Sequence, residues 1–154
     1  PWANLSKASR ALRAESYAEA EALFRKAVDG IPERAFPQLM LANAYVRQEK
    51  FDEALIALAA YKNRDKTWND PGVSQTELMA ARIYQGLGRA DDALTSLDLV
   101  LANNPSDTIR DQAKQEVKII KKEEIEDNSE SDPDALSPTD EQMKKFRKVG
   151  KDAK

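Results

Sequence analysis

The chain contains no cysteine and no histidine. This double absence excludes thiol nucleophiles, imidazole acid–base pairs, disulfides, haem ligation and the usual zinc and iron sites together. No metal or cofactor is expected, and most hydrolase and metalloenzyme chemistries fall away. A long apolar run is missing too. The greasiest stretch, Ala54 to Tyr61, falls short of the ~18 residues a membrane span requires, so no transmembrane segment is expected. The opening PWANLSKASRALRAES has no basic-then-apolar leader pattern. A cytoplasmic location is the first expectation and a periplasmic one the alternative, since a leader or anchor removed before Pro1 would leave no trace.

What is present is charge. The 154 residues carry 24 Lys+Arg against 27 Asp+Glu, a net charge of −3, and the mean hydropathy is −0.69. Such an average lies between a globular domain and a charged, partly unfolded chain, and here it hides two regions of different character.

Over the first region the sequence repeats itself. Tyr17-Ala18-Glu19-Ala20, Phe51-Asp52-Glu53-Ala54 and Ala90-Asp91-Asp92-Ala93 align, with Ala20, Ala54 and Ala93 separated by 34 and 39 residues. The longer interval is the same period plus a five-residue insertion. Pro32 and Pro105 fall in that register. The small residues Ala8, Ala42 and Ala81 recur in the other half of the period, and let paired helices approach closely. Tyr45, Tyr84, Phe24, Leu58 and Leu97 fill the space between them. Helix starts are expected where Ser16 is followed by Glu19, and where Ser74 is followed by Glu77 with Val73 and Leu78 as a hydrophobic staple. Pro37 suits a first helical turn.

This register resembles the tetratricopeptide repeat family, whose pattern reads W-x2-L-G-x2-Y, then A-x3-F, then P over a period of 34. The second repeat carries Leu41-Ala42, Tyr45, Ala54, Leu58 and Tyr61; the third carries Ala80-Ala81, Tyr84, Gly88, Ala93, Leu97 and Pro105. The first keeps Ala8, Ala20, Phe24, Ala27 and Pro32, with Asn4 and Lys7 where large residues are expected. The resemblance implies an all-α, right-handed superhelix of three helix-turn-helix repeats. Their bounds are about 1–34, 35–68 and 74–107.

A capping helix is expected over 106–125, with Ile109, Ala113, Val117 and Ile120 on one face. Such a helix covers the apolar side of a last repeat. Glu123, Glu124, Glu126 and Asp127 oppose the dipole at its end, so fraying is expected there. The first domain is therefore taken as 1–125 and a tail as 126–154. Residues 126–141 hold seven acids and no base, a tether unable to bury itself. A short basic helix follows, with Met143, Phe146 and Val149 on one face as a docking surface, either for a partner or for a second copy of the chain. Its Lys144, Lys145, Arg147 and Lys148 could touch phosphates, but one such helix in a net-acidic chain points to protein rather than nucleic acid.

The resemblance also implies that the first helix of each pair lines an inner wall. Matched positions there are Leu5, Leu39 and Leu78; Ser9, Asn43 and Arg82; Leu12, Val46 and Gln85; and Arg13, Arg47 and Gly86, with Phe36 and Met40 at the edge. Two readings stand. Phe36, Leu39, Asn43, Val46, Arg47, Leu78, Arg82 and Gln85 form a groove for an extended protein segment, or their apolar members serve packing while the rest are solvated. The carboxylate clamp found in some relatives of the family needs Lys and Asn where this chain has Leu5, Ser9, Leu39 and Met79, so that subtype is not expected. Trp68, in the insertion, either anchors a partner or folds back on the second repeat. Gly86-Leu87-Gly88 lacks the preceding strand and following Lys-Ser/Thr of a phosphate loop. The expected function is a non-enzymatic adaptor or assembly factor gripping a partner segment in its groove. The alternative is a fixed structural subunit of a larger complex, using its convex surface and tail.

Overall fold

A computed structural model describes residues 2–64 and 71–131. Trp68 and the tail residues Met143, Phe146 and Val149 lie outside that range. All regular structure among the described residues is helical: α1 (Trp2–Arg13), α2 (Tyr17–Gly30), α3 (Phe36–Arg47), α4 (Phe51–Lys62), α5 (Gly72–Gly86), α6 (Ala90–Ala102) and α7 (Asp107–Ser131). Two compact units are defined, Pro1–Val117 and Lys118–Lys154. In the first, α1 packs on α2, α3 on α4 and α5 on α6, and successive pairs meet through α2 with α3 and α4 with α5.

The backbone repeats as faithfully as the sequence. Glu15, Glu49 and Gly88, at equivalent positions after the first helix of each pair, all adopt positive φ: 60, 57 and 70 degrees. Each residue that follows donates its N–H back across the turn: Ser16 to Ala11 O, Lys50 to Tyr45 O and Arg89 to Tyr84 O, at 2.9, 3.0 and 2.8 Å. This six-residue closure satisfies carbonyls that a helix end leaves open and turns the chain into the next helix. The second helix then starts with Ala20, Ala54 and Ala93 donating to the carbonyls of Ser16, Lys50 and Arg89.

Packing follows the small-residue register. Ala8, Ala42 and Ala81, and Ala20, Ala54 and Ala93, are all fully buried. Phe24, Leu58 and Leu97, again equivalent positions, are buried beside them. Any added carbon at those alanines would push helices apart.

Three local expectations are corrected. Helix α5 begins at Gly72, two residues before Ser74, so no capping box forms there. Pro71 stands at its N-cap and Val73 is half exposed within the first turn. Glu77 instead accepts an ion pair from Lys62 Nζ at 2.6 Å, tying the end of α4 to α5. Ser16 does occupy the N-cap of α2, but its side chain makes no capping bond; its carbonyl alone opens the helix. Finally, α7 does not fray near residue 125. It runs to Ser131, helped by the Lys122–Glu126 pair at 4.0 Å and by the Ser129 hydroxyl donating to the Glu126 carbonyl. Pro37 lies in the first turn of α3 as expected.

Candidate functional site

Helical geometry places residues four, three and four apart in one stripe. On α3 this stripe is Phe36, Met40, Asn43 and Arg47; on α5 the equivalents are Gln75, Met79, Arg82 and Gly86. The two helices lie side by side. Between the N-terminal halves of the stripes is a hollow of about 250 Å³, lined by Phe36, Leu39, Met40, Pro71, Gln75, Thr76 and Met79. Two methionines in such a place give a wall that can adapt to differently shaped apolar groups. Leu39 forms its floor and is buried, as is Leu78, which serves packing.

The C-terminal halves are polar. Among the described residues, the side chains of Asn43 and Arg47 make no hydrogen bond or ion pair, and Arg47 is exposed. Val46 is partly buried against the core. In α5 the corresponding groups are engaged. Arg82 Nε and Gln85 Nε2 both donate to the carboxylate of Glu116 on α7, at 3.3 and 3.2 Å. The structure thus brings Phe36 and Leu39 together at the hollow, leaves Asn43 and Arg47 open beside it, and ties Arg82 and Gln85 to α7.

Sequence reasoning did not read Pro71, Gln75, Thr76 and Met79 as lining residues: Pro71 fell before the expected helix start at Ser74, and the matched rows on α5 began only at Leu78. The four-three-four spacing of Gln75 with Met79 and Arg82, matching Phe36 with Met40 and Asn43, was the signal that could have found Gln75. Glu116 gave no local signal, because its partners are 34 and 31 residues away in sequence.

A second polar cluster joins α2 to α3. Glu21 accepts hydrogen bonds from Lys50 Nζ and Gln48 Nε2, both at 2.8 Å, and pairs with Arg25 at 3.3 Å. Burial alone would raise its pKa, but the bonds from Lys50 and Gln48 and the charges of Lys50 and Arg25 outweigh that and hold it below the ordinary value. Arg25 also donates to the Tyr45 hydroxyl at 3.0 and 2.7 Å, which raises its own pKa. This cluster ties the first repeat to the second.

No group of three or more acidic side chains among the described residues is placed to hold a metal ion. No described helix is long and apolar enough to cross a membrane. The tetratricopeptide repeat family model matches residues 11–74, from the end of α1 into the start of α5, and the all-α fold of the described residues is consistent with a tetratricopeptide-like superhelix. No curated protein matches it significantly in sequence. Repeats of this family generally mediate protein–protein interaction and are typically not catalytic.

Proposed function

We propose that this chain is an adaptor or assembly factor that holds an extended segment of a protein partner along α3 and α5. The observation that carries the reading is the open apolar hollow of Phe36, Met40 and Met79 continuing into the unengaged Asn43 and Arg47. An extended segment placed there would insert a side chain in the hollow and offer backbone or carboxylate groups to the polar end. Affinity capture of native partners with wild-type protein and a Met40→Ala, Met79→Ala, Arg47→Glu variant tests this. The variant should lose its partner. Because Met40 and Met79 also pack against the core, circular dichroism must show that its helical content is kept. The single Arg47→Glu variant, at an exposed charge worth no more than ~1 kcal/mol, should weaken capture without affecting the fold.

A fixed subunit role through the outer surface is the competing reading, supported by Ile56 on α4, which is 71% exposed. Loss of the partner on Ile56→Ser, with full retention in the triple variant, would favour it. In that case residues 126–154, taken as a docking tail, would belong to the same attachment.

A further inference from the structure

We propose that the segment accepted along α3 is acidic, with a bulky apolar residue seated in the Phe36–Met40–Met79 hollow and a carboxylate about three residues away held by Asn43 and Arg47. This rests on the groove reading above and adds the chemistry of its occupant.

Charge complementarity is the first argument. The first helices of the pairs, α1, α3 and α5, carry Lys7, Arg10, Arg13, Arg47 and Arg82 against a single acid, Glu77. That acid is buried and already neutralised by Lys62. The second helices, α2, α4 and α6, carry eight carboxylates against three cations. In a chain of net charge −3, cations therefore outnumber acids on the first helices, and the two that line the hollow, α3 and α5, contribute Arg47 and Arg82. Arg47 stands beside it as the charged group of the α3 stripe, and Arg13 occupies the equivalent position on α1. A basic segment would meet repulsion there and an acidic one attraction.

The second argument is a carboxylate already in place. Position 82, the α5 equivalent of Asn43, and Gln85, the equivalent of Val46, together hold Glu116 of α7. This row of the inner wall is thus built to take a carboxylate, and in the third repeat it does so within the chain. In the second repeat, Asn43 and Arg47 are four apart on one face, which brings their side chains next to each other. An amide N–H and a guanidinium form a donor pair for one carboxylate. There Arg47 supplies the charge that Arg82 supplies in the third repeat.

Length fixes the register. Met40 and Arg47 are separated by seven residues, or about 10 Å along the helix at ~1.5 Å each. An extended chain covers that distance in about three residues at ~3.3 Å each.

The test is a titration of the full chain, labelled with nitrogen-15, by a twelve-residue peptide in which a leucine is followed three and four positions on by glutamates. Shifts are expected at Phe36–Arg47 and Gln75–Met79. Binding should weaken about tenfold in Arg47→Ala, in line with loss of a charged hydrogen bond, and should also weaken with Glu-to-Gln or Leu-to-Ser in the peptide. Raising the salt should weaken it further. A peptide with lysines in place of the glutamates binding as well as the acidic one would overturn the proposal. So would a synthetic copy of residues 126–141 displacing the probe more effectively than unlabelled probe, because the hollow would then belong to this chain's own acidic stretch. If native partner capture still depends on Met40 and Met79 while the acidic probe does not bind, the groove reading survives and the acid preference alone fails.

Discussion

Glu15 and Glu49 occupy equivalent turns 34 residues apart and share the same left-handed backbone, at φ 60 and 57 degrees. The third repeat puts Gly88 at that position, at φ 70 degrees. A side chain held there costs ~1–2 kcal/mol, while glycine adds ~0.5–1 kcal/mol of entropy to the unfolded chain. Glu15→Gly and Glu49→Gly should each therefore stabilise the fold by up to ~1 kcal/mol, and Gly88→Ala should destabilise it by about as much. Urea midpoints at constant slope report this; a lower midpoint in both glutamate variants would contradict the shared turn.

Ala54 and Ala93 have no free surface. Leucine at either position should cost roughly 1–3 kcal/mol through overpacking between paired helices. Thermal melts followed by circular dichroism should show a lower midpoint in both variants, and an unchanged midpoint in both would remove the close helix approach from the account.

Gly86 ends α5 where the ring of Phe51 lies against its backbone, and a Cβ there would overlap that ring. Glycine-to-alanine in a helix ordinarily gains up to ~1 kcal/mol, but Gly86→Ala should destabilise. In a Phe51→Ala background the same change should become neutral or favourable. A double-mutant cycle measures the coupling, and additive effects would mean the contact is not made.

Glu21 supplies the pH dependence. Its folded pKa is depressed, so its contribution is fully present above the unfolded value, near ~4.3. It is lost as pH falls through the lower folded value. Stability of the wild-type chain should fall between about pH 5 and the acid side of that value more steeply than that of Glu21→Gln, which should be the less stable protein at pH 7. Parallel stability-against-pH curves for the two proteins would contradict the pairing with Lys50, Gln48 and Arg25.

The repeat was legible because one backbone path is traced three times, so Ala20, Ala54 and Ala93 had to stay small at each pass. The stripe of α3 was partly legible for the same reason: Phe36, Asn43 and Arg47 are spaced by the helix itself. The start of α5 was not. A Ser-x-x-Glu pattern at Ser74 competed with the Pro71-Gly72 turn, and the chain entered the helix at the turn, which released Glu77 to pair with Lys62. Glu116 meeting Arg82 is a tertiary event between helices, and a local pattern of charges does not specify which of many acids will make it.

The most direct test of the account is to place a photocrosslinking residue at position 40, facing the hollow, and another at position 56 on the outer side of α4, and to expose each protein to its native partner. Strong crosslinking from position 40, lost when Arg47→Glu is added, with little from position 56, is the result the inner-wall account predicts. Crosslinking from position 56 alone would contradict it and move the interaction to the outer surface.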